Sequence, residues 1–459
     1  MIDVLFIIPP IPLPLSTIFL RPVSEASPLG IGYMDSVLSE NGFKTAVKNY
    51  YLGISNMEEL TNTLIDLNPR IIAITSMTET FNNAAKVAEI CKKTLPKSNI
   101  IIGGPHVSFL DEITLKEHKY IDFIVRNEGE VTLLELTNHL LNNKSLLSNI
   151  KGITYRNGEE VVRNGSRSLI KNLDELPFPK RYFNESDFVE PSKKIIGVIS
   201  SRGCPGQCIF CSASALAGGV YRKRSPENLI SEVEYYVNKG HNYFFFMDDT
   251  ITADIDRFAR ICDMLKKYNI TWSCESRVDV IAGNKGISSL MYDSGCRSIQ
   301  FGVETGSHEI LESINKGIEL EQVEKAVQYA RDSDIEVVCS MIIGHYNDNV
   351  ETVRQTINYA EYLMKKYIIA AAFSMLTPYP GTKIYNNSED FGIKVLSNNY
   401  DHFYVLNPNI ETKYLTKYQL RNLFYEAMMC ATKNMPKKWM NYYSTEIEKS
   451  LQYLRECSN

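Results

Sequence analysis

The chain has 459 residues, more than one ordinary hydrophobic core accommodates, so two or three domains are expected. With 44% apolar and 22% charged residues and no low-complexity tract, it reads as a globular protein. A net charge of −5 excludes the basic signature of electrostatic nucleic-acid binding, and no run approaches the ~20 apolar residues of a membrane helix, so neither nucleic acid nor a membrane span is expected.

The opening MIDVLFIIPPIPLPL is apolar, but it lacks a basic leading region and is broken by prolines, so it does not read as a secretory signal. Apolar runs at 3–8, 44–50, 71–76, 99–102 and 122–125 predict strands. Amphipathic stretches near 29–41, 57–66, 80–94, 109–117 and 130–142 predict the helices between them. Five such units in series predict a flavodoxin-like, doubly wound parallel sheet over residues 1–145. Sheets of this type take ligands at the carboxyl ends of their strands. Here those ends carry Pro9-Pro10, Ser76-Met77-Thr78, Gly103-Gly104-Pro105-His106 and Asn127-Glu128-Gly129-Glu130. Small, turn-forming residues let a ligand approach the backbone, but ordinary connecting loops need them too, and the pattern leaves both readings open.

Residues 146–195 read as a connector with a small β element, GITYRNGEEVVRNG, that ends in the proline-containing strap LDELPFPKRY. Alternation resumes over 196–385. Strand-like runs at 195–200, 243–247, 271–277, 298–303, 336–343 and 370–376 are separated by helical stretches such as 226–238, 254–267 and 320–332. This pattern fits a (β/α)6 partial TIM barrel. Residues 386–459 read as mixed and then helical, forming a C-terminal region.

Seven of the ten cysteines (Cys91, Cys262, Cys274, Cys296, Cys339, Cys430, Cys457) are isolated and mostly in apolar contexts, the pattern of reduced thiols in a cytoplasmic protein. The other three, Cys204, Cys208 and Cys211, stand in SRGCPGQCIFCS with the spacing C-x3-C-x2-C. Three thiolates so spaced bind zinc or an iron–sulfur cluster. Zinc needs a fourth ligand at similar spacing, and the sequence has no matching Cys or His pair. A [4Fe–4S] cluster leaves one iron open, which suits a cluster that binds a substrate or cofactor. Three buried structural cysteines are the remaining alternative, and the polar, turn-rich neighbours Arg202, Gly203, Pro205 and Gly206 argue against it.

C-x3-C-x2-C after the first strand of such a barrel resembles the radical S-adenosylmethionine superfamily. There the open iron chelates the amino and carboxylate groups of S-adenosylmethionine, and reductive cleavage yields methionine and a 5′-deoxyadenosyl radical. The resemblance implies that Cys204, Cys208 and Cys211 hold the cluster and that Phe210 lies near adenine. FFFMDDTITAD (244–254) matches the second-strand motif, so Asp248 and Asp249 are expected to accept hydrogen bonds from the cofactor's ammonium, with a helix N-cap as the alternative. CESRVD (274–279) places Glu275 and Arg277 at the barrel mouth, Arg277 toward the carboxylate. FGVETGS (301–307) places Glu304 on the ribose. SMIIGHYND (340–348) resembles the family's GxIxGxxE, with Ser340 for the first Gly and Asn347 for Glu, and Gly344 as a backbone-approach residue.

The first domain separates the branches of that superfamily. Methylthiotransferases carry three more cysteines there, whereas this domain has only Cys91. LGIGYMDSVLSENG (29–42), IIGGPHVSFL (101–110) and DFIVRNEGEVTLLEL (122–136) resemble the cobalamin-dependent, class B enzymes, and the resemblance covers roughly residues 1–385. It implies that Pro9, Ser76, Met77, Thr78, Gly103, Gly104, Pro105, His106, Glu128 and Gly129 border cobalamin. No histidine has an aspartate two residues before it, so the DxHxxG signature is absent and His106 is expected to be a loop hydrogen-bonder rather than a cobalt ligand. The implied activity is methylation of an unactivated carbon. Cyclisation, ring contraction or another rearrangement is the alternative. A non-catalytic cobalamin or cluster sensor is a third reading, opposed by Asp248, Arg277 and Glu304. The implied partners are a small-molecule or peptide substrate and an external electron donor of flavodoxin or ferredoxin type.

Overall fold

A computed structural model describes residues 2–12, 28–51, 57–144, 146–182 and 194–440. The end of the expected helical tail, from 441 on, and Cys457 lie outside the described residues. The chain forms two compact units. One takes the described residues up to 182 together with Asn399–His402, and the other takes the rest.

The first unit is built on strands β1 (Val4–Ile8), β2 (Thr45–Asn49), β3 (Ile71–Thr75), β4 (Asn99–Gly103), β5 (Phe123–Val125), β6 (Ile153–Asn157) and β7 (Glu160–Arg163). Their order is β2-β1-β3-β4-β5-β6-β7, with the first five parallel and the last two antiparallel. The reversal beside β1 makes this the doubly wound arrangement expected from the alternating pattern. The strands are nearly continuous apolar runs because helices cover both faces. Leu5, Ile7, Ile72 and Ile74 enter one core, and Val4, Phe6, Ile71 and Ala73 enter the other. The β element of the expected connector is the antiparallel edge of this sheet, where Ile153 pairs with Val125. The expected helix at 109–117 is two short helices, Pro105–Phe109 and Asp111–Glu117, broken at Leu110.

The second unit carries β8 (Ile195–Val198), β9 (Tyr243–Phe246), β10 (Thr271–Ser276), β11 (Cys296–Glu304), β12 (Glu336–Ile343) and β13 (Ala370–Met375). All six are parallel and paired in sequence order, and β8 and β13 are the two edges, so the sheet is a partial barrel. Local chemistry starts the intervening helices. Ser225 caps Pro226–Val237, with proline at its first position. Asp254 caps Ile255–Leu265, and Asn349 forms a capping box with Thr352 at Val350–Tyr367. Helix Lys417–Asn434, opened by a Thr416–Gln419 capping box, packs on Val350–Tyr367 and on β13. Period-two alternation decides what faces the lumen. On β10, Trp272 and Cys274 are buried outward, while Ser273 and Glu275 are only half-buried. Gln300, Gly302, Ser340 and Ser374 are likewise half-buried. A closed barrel fills these positions with bulky branched residues; small polar ones leave room for a ligand. Among the described residues no helix is long and apolar enough to cross a membrane.

Candidate active site

The cysteine loop is tied at its base. Ser201–Arg202 pairs antiparallel with Arg222–Lys223, so residues 203–221 close on themselves. Gly203 has φ +91°, and a Cβ there would lie 2.3 Å from the Val220 carbonyl oxygen, so the turn admits no side chain. Beyond it the loop is fastened to the rest of the unit. The Ile209 amide donates to the Ile314 carbonyl at 3.2 Å, Asn315 Nδ2 to the Gln207 carbonyl at 3.1 Å, and the Ile384 amide to the Ile209 carbonyl at 3.2 Å. Cys204, Cys208 and Cys211 are half-buried free thiols. Gly206 sits between the first two: a Cβ there would be 3.3 Å from Cys204 Sγ and 3.9 Å from Cys208 Sγ. The Gly206 amide points at Cys204 Sγ at 3.4 Å.

The two aspartates after β9 divide their work. Asp248 is buried, and its carboxylate accepts from the Ser200 amide at 3.1 Å, from Ser200 Oγ at 2.7 Å and from Ser201 Oγ. In this fold Asp248 anchors the strand that leads into the loop. Asp249 accepts from the Gly203 amide at 3.0 Å, and burial pushes its carboxyl up. Neither caps the following helix, which Asp254 does.

A ring of charge stands at the carboxyl ends of β9 to β11. Glu304 has φ +73°, at an irregularity in the β11–β12 register, and accepts from Lys316 Nζ at 2.5 Å. Both side chains of this pair are only 9% exposed. Arg277 Nε donates to Asp279 at 3.0 Å, and its Nη2 donates to the Lys316 and Gly317 carbonyls at 3.2 and 3.3 Å. Its Nη1 lies 3.2 Å from the point a Gly206 Cβ would occupy. Burial raises the Cys208 thiol, and Lys316 and Arg277 oppose that shift by favouring the thiolate. Burial, helped by the Asp249 and Glu304 charges, pushes Glu275 to about 7.

At the end of β12, Gly344 has φ +90° and a Cβ there would strike Leu420 Cδ2 at 2.7 Å. The Gly344 and His345 amides donate to Asp348 Oδ2 at 3.0 and 2.9 Å, and Thr352 Oγ1 donates to Asp348 Oδ1 at 2.7 Å. The carboxylate that holds this turn is Asp348, one residue after the expected Asn347. Ser340 faces inward, half-buried. Phe210 and the buried His345 face each other with ring centroids 5.6 Å apart.

In the first unit, Pro9, Ser76–Thr78 and Gly103–His106 lie at the carboxyl ends of β1, β3 and β4. Ser76 is buried, with its amide and hydroxyl both donating to the Gly103 carbonyl at 2.8 and 3.1 Å. Gly104, at φ +109°, is pressed on Ser76, whose carbonyl oxygen lies 2.3 Å from where a Cβ would be. Met77 is exposed, and Pro105 opens the short helix after Gly104. His106 Nδ1 lies 3.3 Å from Thr78 Oγ1, and its ring stacks on Phe81 at 4.2 Å and meets the Tyr400 edge at 4.3 Å. Burial pushes His106 down to about 3, which keeps it neutral. At the end of β5, Glu128 and Gly129 make contacts within the chain. Glu128 accepts from the Ile170 amide at 2.8 Å, and Gly129 makes room for Met34, whose Sδ would be 2.7 Å from a Cβ.

The Radical SAM superfamily profile matches residues 198–360, and the B12 binding domain profile matches residues 16–137. An uncharacterized methyltransferase of Pyrococcus horikoshii is 32% identical over 404 residues, covering 87% of this chain and 86% of that protein. The chain belongs to the cobalamin-dependent radical S-adenosylmethionine enzymes. The anaerobic magnesium-protoporphyrin IX monomethyl ester cyclase of Cereibacter sphaeroides is 26% identical, over 86% of this chain and 65% of its own. The fold matches that of the cobalamin-dependent radical enzyme OxsB with a TM-score of 0.75 at 16% identity, covering 99% of this chain and 72% of that one.

The cofactors of this radical enzyme are a [4Fe–4S] cluster, S-adenosylmethionine and cobalamin. The residues present fit the cluster. Three half-buried free thiols converge in one closed loop, with the Gly206 amide directed at Cys204 Sγ and no side chain at Gly206 to fill the space between Cys204 and Cys208. A cluster takes one such thiolate on each of three irons. Lys316, Asp279, His345 and Asp348 escaped the sequence reading. Asp348 alone had a local signal, as it directly precedes a capping Asn and an amphipathic helix.

Proposed function

We propose that this enzyme methylates an unactivated carbon of a small-molecule or peptide substrate. The observation that carries the reading is 32% identity, over 87% of the chain, to a protein described as an uncharacterized methyltransferase. When bound, the cluster and S-adenosylmethionine supply a 5′-deoxyadenosyl radical that takes a hydrogen atom from the substrate, and cobalamin carries the methyl group that replaces it. The chain's own part is to bind, orient and exclude water. Cys204, Cys208 and Cys211 hold the cluster. Asp249 accepts from the ammonium of S-adenosylmethionine, Arg277 takes its carboxylate with Nη1, and Glu304, held by Lys316, takes the ribose. Phe210, Ser340 and Gly344 line the purine side. The loops at Pro9, Ser76–Thr78 and Gly103–His106 border cobalamin, with His106 supporting the loop from beneath. Electrons come from a flavodoxin- or ferredoxin-type donor.

The named cyclase relative supports one rival, a ring-forming reaction without methyl transfer. Product analysis separates the two. Anaerobically reconstituted enzyme with cobalamin, S-adenosylmethionine, a reductant and substrate is expected to yield a product heavier by one CH2. Equal amounts of 5′-deoxyadenosine and S-adenosylhomocysteine are expected with it, because one molecule of S-adenosylmethionine would supply the radical and a second the methyl group. A product lighter by hydrogens, with 5′-deoxyadenosine and no S-adenosylhomocysteine, overturns methylation in favour of cyclisation.

A further inference from the structure

His345 is fully buried, and neither ring nitrogen has a hydrogen-bond partner among the described residues. The backbone of Glu304 favours a proton on the ring, but neither ring nitrogen reaches a partner at hydrogen-bond geometry. A buried polar group without a partner is costly and rare outside functional sites. This one is not a loose side chain. Its amide is pinned by Asp348 at 2.9 Å, and its carbonyl accepts from the Asp348 amide at 2.8 Å. The Phe210 ring, next to the last cysteine of the loop, lies against it.

The surroundings say which part of a ligand it suits. The charged groups Arg277, Lys316 and Glu304 all act on Cys208, and cations and carboxylate together match a zwitterion. His345, held neutral by burial, stands across Phe210 with an aromatic ring as its neighbour and suits an uncharged, flat, hydrogen-bonding group. We infer that His345 is a specificity residue for the nucleoside half of S-adenosylmethionine, covered by Phe210 until the cofactor shifts that ring. The inference rests on the cofactor assignment of the proposed function. It adds a side-chain hydrogen bond at a position where GxIxGxxE prescribes none.

The test pairs stability with binding. His345→Leu keeps the volume and removes both orphaned nitrogens; His345→Gln keeps a donor and an acceptor. In cluster-reconstituted protein of verified iron content, equilibrium dialysis without reductant measures S-adenosylmethionine and, as competitors, 5′-methylthioadenosine and methionine. His345→Leu is expected to bind S-adenosylmethionine and 5′-methylthioadenosine roughly tenfold more weakly. Methionine competition stays unchanged, the thermal midpoint of the cofactor-free protein does not fall, and His345→Gln lies between. Unchanged nucleoside binding in His345→Leu overturns the inference and leaves the proposed function standing. So does a fall in the midpoint with equal binding by the Leu and Gln variants, since that marks a structural histidine satisfied by water. Failure of the unaltered protein to bind S-adenosylmethionine overturns both.

Discussion

Replacing Gly203 by alanine tests whether the geometry of the loop base decides cluster binding. Two costs add. A side chain at φ +91° carries a backbone penalty of about 1–2 kcal/mol. The new Cβ would also stand 2.3 Å from the Val220 carbonyl oxygen and 2.7 Å from Ala217 Cβ. Relieving the first contact needs a movement of roughly 1 Å to reach ordinary van der Waals distance. Neither neighbour yields easily: one is backbone beside the Arg202–Arg222 pairing, and the other lies on the same loop. The displacement falls on Cys204, the next residue. Gly219→Ala is the control. Its φ is +70° and nothing lies within 4 Å, so it bears only the backbone penalty. Iron and sulfide per chain after anaerobic reconstitution, over a range of iron concentrations, provide the assay. Gly203→Ala is expected to hold iron at least tenfold more weakly than Gly219→Ala, a difference of about 1.4 kcal/mol or more. Equal iron content in the two variants refutes the reasoning.

Cys208→Ala is expected to abolish 5′-deoxyadenosine formation, measured by chromatography after dithionite reduction; retained product sinks the cluster assignment. Lys316→Met strands Glu304 as a buried unpaired charge and should lower unfolding stability in urea by about 3–5 kcal/mol, whereas adding Glu304→Gln should recover much of the loss. If the double variant is as weak as the single one, the pair is not what holds that corner. Glu275 has a pH signature. Its carboxyl sits at about 7 in the fold against an ordinary 4.5, so the native state binds more protons than the unfolded chain between those values. Stability is therefore present below 4.5 and lost as pH rises toward 7, by at most roughly 3 kcal/mol. Glu275→Gln in the cluster-free protein should flatten that slope, and parallel urea-stability curves for the two proteins from pH 4.5 to 8 would count against it.

Most of the architecture was readable from the chain because its signals are local. Runs such as VLFII and EVVCSMII mark strands by composition, and a sheet covered on both faces needs them continuous. The trio Cys204, Cys208 and Cys211 lies within one loop, so its spacing alone limits what it can hold. The alternation along TWSCES turns Glu275 inward without further information. Tertiary structure decided where neighbouring side chains of the same kind are sent. Asp248 and Asp249 are adjacent in sequence, but the fold gives one to Ser200 and Ser201 and the other to Gly203. Lys316 pairs with Glu304, which stands at positive φ at an irregularity in the β11–β12 register, and no spacing rule announces that. Asn399–His402 joins the first unit although the sequence places it far beyond that domain, and there Tyr400 meets His106. Residues 210 and 345 are distant in sequence, and their rings meet because the cysteine loop and the end of β12 converge at one end of the barrel. Spacing within one segment is a property of the chain. The pairing of distant side chains depends on strand register and loop closure, which exist only once the sheet has formed.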